Sequence, residues 1–268
     1  MRSWSLTTIH DVVPHPGDGH AAPGLQYSKA ISCWRSSKLI VHTDGMRSQL
    51  AQRFRVNTKK IDVIPHGELG TLYRHLARSS NEPELPREPQ TLLFFGRIWP
   101  YKGLRYLLEA FAILKTEIPT ARLIIAGKGG DLTTNAQLIR SLQDIELIDS
   151  FIPAGKVAGL FERSSVVVLP YIEASQSGVS AIGFTTGTIV VASNVGGLAD
   201  LIDDQRTGLL VEPRDSTKLA STLVMILKDQ EKQSQIRERA LALGQGPLNW
   251  SAIAESTLAT YKAALSGA

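Results

Sequence analysis

Leu92–Gly103 reads LLFFGRIWPYKG. Four apolar residues in a row, rather than an alternating pattern, are what a strand buried on both faces looks like. Gly96 ends the run, Arg97 and Lys102 follow, and Gly103 opens a segment with Leu104, Leu107, Leu108, Phe111 and Leu114 at helical spacing. In a parallel sheet, this order of strand, glycine turn, two cations and helix puts positive charge outside the carboxyl end of the strand, where such sheets hold their ligands. An anion is the natural occupant. Arg97 can make a two-pronged pair with a phosphate, Lys102 supplies a point charge, and the free N–H groups of a helix N-terminus favour the same sign. The plainer reading is a solvated arginine and lysine in a surface loop.

The rhythm around this stretch favours the ligand reading. Strands are predicted at Thr91–Phe95, Arg122–Ala126, Val166–Pro170, Ile189–Ser193 and Gly208–Val211, with a weaker one at Ile148–Ile152, and helical segments lie between them. Continuous apolar strands alternating with helices predict a doubly wound α/β domain with a parallel sheet covered on both faces. After Ser216 the pattern is helical: a capped helix to Lys228, a charged one over Glu231–Leu243, a break at GQGP and a last helix from Trp250.

Before residue 90 the texture is a smaller version of the same. Ser5–His10 reads as a strand feeding the loop VVPHPGDGHAAPG, Gln26–Arg35 as a helix, Lys38–Thr43 as a buried strand, and Asp44 as the N-cap of the next helix. Ile61–Ile64 is a further strand, stopped by Pro65-His66-Gly67. Residues 68–90, centred on RSSNEPELPREP, are polar and proline-punctuated, which predicts a domain boundary. The division expected is 1–85, 86–248 and a terminal helix over 249–268.

Composition bounds the function. The chain has 268 residues, 43% apolar, a net charge of +4 and a single cysteine, Cys33. That suits a packed core, gives no basis for nucleic-acid binding, excludes an internal disulfide, and casts Cys33 as a small packing residue in a reducing compartment. No apolar run approaches a membrane span and the N-terminus lacks the apolar core of a signal peptide, so a cytoplasmic protein is expected. His10, His15 and His20, spaced by five, match no helical face and no metal-ligand pattern, and no metal is expected. Arg47, Arg53, Arg55, Lys59 and Lys60 accompany Met46, Leu50 and Phe54 on one helical stretch. A solvated polar face explains them; peripheral seating on an anionic membrane is the other reading.

Two more strand ends fall beside the first in a doubly wound sheet. One carries Gly127-Lys128-Gly129-Gly130, where glycines admit a ligand close to the backbone or simply make a tight turn. The other is PYIEASQSGV, where a helix begins near Ser177-Gly178-Val179 and offers its N–H groups opposite Arg97 and Lys102. Two cations facing a helix terminus suit a diphosphate. The G-x-G-x-x-G dinucleotide fingerprint, the Walker lysine, the G-x-S-x-G elbow and a metal-binding carboxylate pair are all missing from these positions.

In their order, GRIWPYKG, AGKGG, LPYIEASQSGV and GTIVVASNVGG resemble the donor-binding half of a glycosyltransferase of the GT-B architecture. The likeness is to the large retaining group that includes sucrose synthases and bacterial mannosyltransferases. The resemblance implies transfer of a hexose from a nucleotide-sugar, such as a UDP- or GDP-hexose, to a glycan or lipid-linked acceptor with retention of configuration. It implies no other cofactor. Arg97 and Lys102 would hold the diphosphate with Gly96 beside them, Gln176, Ser177, Gly178 and Val179 would bind the same phosphates, and Gly127, Gly129, Phe151 and Ile152 would flank the base. His10 falls where the family has a histidine near the transferred sugar. The family's two glutamates, eight positions apart, correspond to Ala174 and Ile182; Glu173, beside the first, is the candidate substitute, and isoleucine cannot accept a ribose hydroxyl. The part before residue 86 resembles only the end of an acceptor domain. The alternative reading is therefore an inactive nucleotide-sugar-binding module that needs a second chain to complete the acceptor side.

Overall fold

The computed structural model describes residues 4–13 and 24–266; His15 and His20 lie outside the described residues. In chain order the elements are β1 (Leu6–Thr8), α1 (Leu25–Arg35), β2 (Lys38–Val41), α2 (Asp44–Phe54), β3 (Ile61–Val63), α3 (Gly70–Ser79), β4 (Thr91–Phe95), α4 (Leu104–Glu117), β5 (Arg122–Gly127), α5 (Asp131–Thr134), α6 (Ala136–Ser141), β6 (Ile145–Asp149), α7 (Ala154–Arg163), β7 (Val166–Leu169), α8 (Gly178–Thr186), β8 (Ile189–Ser193), α9 (Gly196–Leu201), β9 (Leu209–Val211), α10 (Ser216–Lys228), α11 (Gln230–Gln245) and α12 (Trp250–Ser266). They build two parallel sheets, one of order β1-β2-β3 and one of order β6-β5-β4-β7-β8-β9. The winding of the larger sheet runs outward from β4 to one side and restarts at β7 on the other. Its switch point therefore lies between β4 and β7.

The apolar runs sort by parity. Leu92 and Phe94 point into a core with α4 and α10, where Leu107, Phe111 and Leu223 are fully buried. Leu93 points to the opposite face, against Phe161 of α7 and Phe184 of α8. Each such side chain contributes roughly 1.5–3 kcal/mol when fully buried. Burial on both faces is why these strands do not alternate. A smaller core under β1-β2-β3 holds Leu39, Val41, Leu50 and Cys33. The cysteine is thus a packing residue, and burial pushes its thiol above the usual range.

Three expectations are corrected. The weak strand placed at Ile148–Ile152 forms three residues earlier, pairing Ile145 with Leu123 through Asp149 with Gly127. Phe151 is left 83% exposed in the following loop, where Pro153 could donate no ladder bond. The N-cap of α2 is Thr43, whose hydroxyl accepts from Met46 N, while Asp44 sits in the first turn and pairs with Arg47 at 2.6 Å. Within the polar stretch, residues 70–79 form α3, which packs on α7 and α8. Met46, Leu50 and Phe54 are buried in the small core, so the apolar side of the suggested membrane face is inside the protein. Among the basic residues of that face, Lys60 Nζ is bound to the carbonyls of Cys33 and Trp34.

The two sheets are joined twice. The chain leaves the first sheet through 64–70 and returns at 248–250, and these passages are bonded to each other. Glu68 N donates to Leu248 O at 2.8 Å and Trp250 Nε1 donates to Glu68 O at 2.6 Å. Gly67 makes room for this: a Cβ there would lie 2.7 Å from the Trp250 ring. Farther along α12, Ile253 packs with Ile40 and Ile64, and Thr260 Oγ1 donates to Asp62 Oδ2 at 2.8 Å. Among the described residues no helix is long and apolar enough to cross a membrane.

Candidate functional site

Strand ends on either side of the switch point build a pocket of about 190 Å³. From β4 the chain turns at Gly96 (φ +111°), passes Arg97, and makes a single 3-10 turn over Pro100–Lys102 that ends at Gly103 (φ +69°). A Cβ on Gly103 would lie 2.0 Å from Pro170 O. Only glycine lets this turn press against the end of β7, and Ile172 N donates to Tyr101 O at 2.7 Å to hold the two loops together. The turn directs Lys102 inward.

Lys102 is 8% exposed. Its Nζ donates to Tyr171 Oη at 2.7 Å and lies 4.4 Å from the centroid of that ring. Among the described residues no carboxylate pairs with it. Taking an ammonium out of water without a counter-charge costs several kcal/mol. Opposite, Ser177 caps α8 in extended conformation, with no side-chain cap bond. Ser177 Oγ and Gln176 Oε1 are both buried and without a hydrogen-bond partner. The first N–H groups of α8, which have no partner inside the helix, open on the same space beside Gly178 and Val179. One buried cation, an unpaired hydroxyl and a helix N-terminus all await an acceptor of negative charge.

The structure brings together Gly96, Arg97, Lys102, Gln176, Ser177, Gly178 and Val179. A Cβ on Gly96 would be 3.6 Å from Lys102 Nζ and 4.0 Å from Val179 Cγ2. Gly127 and Gly129 stand one strand away, and backbone packing explains them: a Cβ would meet Gly96 O at 1.8 Å or Ile98 O at 2.1 Å. Phe151 and Ile152 line a different groove, about 540 Å³, between α7 and residues 82–85. That groove is larger, but it has no buried unpaired cation and lies away from the switch point. Glu173 is exposed, and Ile182 is 2% exposed in the core with Phe184.

The opposite wall comes from the smaller sheet. Asp11 lines the pocket, and Ser175 Oγ donates to its carboxylate. His10, just before it, is exposed, and its Nδ1 lies 2.8 Å from His42 Nε2. His42 Nδ1 lies 2.9 Å from Ile64 O, and the His42 and His66 ring centroids are 5.7 Å apart. Burial holds the His42 imidazole below its ordinary range, against the hydrogen bond to Ile64. Asp11, His42, Tyr101 and Tyr171 were not singled out from the sequence. A usable signal existed for the histidines, since LTTIH, KLIVH and IDVIPH each run a strand into one. Among the described residues no group of three or more His, Cys, Asp or Glu is arranged to hold a metal ion.

Two parallel α/β units facing one another across a cleft, with a polar pocket at the switch point of the larger sheet, place the fold in the GT-B class. The sequence matches the family model described as glycosyl transferases group 1 over residues 89–229, and the chain belongs to that family. It is 31% identical to the D-inositol 3-phosphate glycosyltransferase of Frankia alni, over 99% of this chain and 68% of the relative. To the protein of the same name from Kineococcus radiotolerans it is 30% identical, over 97% of this chain and 65% of the relative. Among such relatives the chain spans little more than half to about two thirds of their length. Of solved structures, Anabaena Alr3699/HepE in complex with UDP and glucose superposes with a TM-score of 0.79 at 18% identity, over 98% of this chain and 72% of that one. Sucrose-phosphate synthase of Thermosynechococcus elongatus superposes with a TM-score of 0.78 at 21% identity, over 98% and 68%. These neighbours share the fold.

Proposed function

We propose that the pocket binds the diphosphate of a nucleotide-sugar and that the protein transfers the hexose, with retention, to a glycan or lipid-linked acceptor. The observation that carries this reading is Lys102: a buried ammonium whose bonded partner is a neutral phenol, facing the unpaired Ser177 Oγ and the N-terminus of α8. A nucleoside diphosphate is the leaving group in such a transfer. As the bond from the anomeric carbon to the phosphate oxygen breaks, its electron pair moves onto the phosphate, and Lys102, Arg97 and the helix N–H groups stabilise that charge. Fixed protein charge does this without calling on a metal. The relatives named D-inositol 3-phosphate glycosyltransferase, and a neighbour solved with UDP and UDP-glucose, support a nucleotide-sugar donor.

Ile182 favours a second reading. Buried in the core, it offers the ribose nothing. A nucleotide-sugar-binding module without transfer activity fits this. Calorimetric titration with UDP and GDP, without added metal, tests the shared premise. Micromolar binding of either supports a working donor site; no binding by folded protein removes it. Turnover with an acceptor panel then separates enzyme from module. A cytoplasmic location belongs to this proposal, and any seating on an anionic membrane would rest on basic residues alone.

A further inference from the structure

The ends of the three strands of the smaller sheet place His10, His42 and His66 in a row on the cleft side. Their bonds fix their protons. A backbone carbonyl can only accept, so His42 Nδ1, 2.9 Å from Ile64 O, carries a hydrogen. With the ring neutral, His42 Nε2 is a lone pair, and the atom 2.8 Å from it must donate. That atom is His10 Nδ1. A neutral His10 is then left with its lone pair on Nε2, free of the relay.

We propose that His42 is a positioning residue: it holds His10 in the Nδ1–H form, so that His10 presents Nε2 as a hydrogen-bond acceptor to a hydroxyl of the sugar lying against Asp11. The sugar contact rests on the nucleotide-sugar reading above; the control of the His10 tautomer by His42 does not. Neutrality of His42 is what the relay requires, because a cationic His42 would donate from both nitrogens and reverse His10. Its surroundings favour neutrality: burial opposes a charge most, His10 past β1 and His66 past β3 add to it, and together they outweigh the Ile64 carbonyl and Asp11, which favour the charge. A neutral donor–acceptor chain ending at a carbonyl also has a direction. The donor end is tied to the Ile64 carbonyl, and the acceptor end belongs to the exposed His10, next in sequence to Asp11 of the pocket wall.

The test is a long-range 1H–15N correlation spectrum of the ring nitrogens at pH 8, which separates protonated from bare imidazole nitrogens residue by residue. In the wild-type protein His10 should show a protonated Nδ1 and a bare Nε2. In His42→Leu this pattern should be lost, and in His42→Gln, whose amide oxygen can accept from His10, it should return. A protonated Nε2 on wild-type His10 overturns the proposal whether or not the variants fold, and so does an unchanged His10 in folded His42→Leu. Titration of the same proteins with UDP, UDP-glucose, GDP and GDP-mannose tests the second half. His42→Leu should leave bare nucleotide affinity within about twofold and weaken the sugar nucleotide about three- to tenfold. Equal loss for both, or none, removes the sugar contact. If no nucleotide binds the wild-type protein, the donor-site reading falls with that contact, while the tautomer spectrum still decides what His42 does to His10.

Discussion

Ser175 and Asp11, 164 residues apart in the chain, meet across the mouth of the pocket, the Ser175 hydroxyl donating to the Asp11 carboxylate. A second tie crosses the cleft at Gly45 N, which donates to Asp200 Oδ2 at 3.1 Å. The loop that carries Gln176 and Ser177 is therefore steadied from the other side of the cleft as well as from its own sheet. Removing the first tie with Ser175→Ala should speed amide hydrogen exchange over residues 174–178. The melting temperature should fall by only a few degrees, since a bond to a charged group contributes about 1.5–3 kcal/mol at most. Unchanged exchange would mean that the backbone packing of the loop alone holds it.

That packing is the bond from Gly197 N to Ala174 O, 3.2 Å, and it leaves Lys102 free to be tested separately. Lys102→Met keeps most of the stem volume and removes the buried charge. Binding of UDP or GDP should weaken at least about tenfold. Thermal stability should stay level or rise, because replacing a desolvated, uncompensated ammonium with an apolar group relieves its burial cost. Loss of affinity together with loss of stability would recast Lys102 as a structural residue.

Two glycines three residues apart should differ sharply. At Gly127 a side chain meets Gly96 O at 1.8 Å with φ at +148°, whereas a Cβ on Gly130 meets nothing within 4 Å. Urea unfolding should place Gly127→Ala about 3 kcal/mol or more below the wild type and Gly130→Ala within about 0.5 kcal/mol of it. Similar values would contradict the close approach of the two loops.

Acid sensitivity has a traceable source in Arg163, which donates to Glu146 at 2.6 Å and to Glu88. The bond from Arg163 holds the Glu88 carboxyl below its usual range. A depressed carboxylate stabilises the fold above its unfolded pKa of about 4.3 and loses that contribution as pH falls through the folded value. Glu88 is partly exposed, so the effect is at most about 1 kcal/mol. Melting curves of Glu88→Gln should lie below wild type at pH 7 and converge with it toward pH 3. Asp131 has the opposite sign: burial raises its carboxyl, and Asp131→Asn should gain stability as pH rises toward neutral.

The parts of the fold that were legible are those where local pattern and burial agree. β4 and β8 have the bounds the pattern predicts, Thr91–Phe95 and Ile189–Ser193, and Ser177 was visible as the start of α8. What failed depended on partners distant in sequence. The apolar pair Phe151-Ile152 resembles a strand end, yet the ladder with β5 is satisfied by Ile145–Asp149. Tyr73 in GTLYRHLARS shows its worth only against the core under α7 and α8, so α3 was not singled out as a helix. Within the site, Arg97, Lys102 and Ser177 were readable because strand–turn–helix order fixes where a parallel sheet puts such residues. Asp11 and His42 were not, because they come from the other sheet, and nothing in local sequence says which strand ends will face each other.

The paired passages at 64–70 and 248–250 have a mechanical consequence. A body hung from one flexible segment can swing, twist and slide. One hung from two neighbouring segments that are bonded to each other, with the Trp250 indole seated on Gly67 as a bearing, keeps essentially a single rotation. The alignment of His10 and Asp11 with Lys102 and Ser177 is therefore set at the pivot rather than by whatever occupies the pocket.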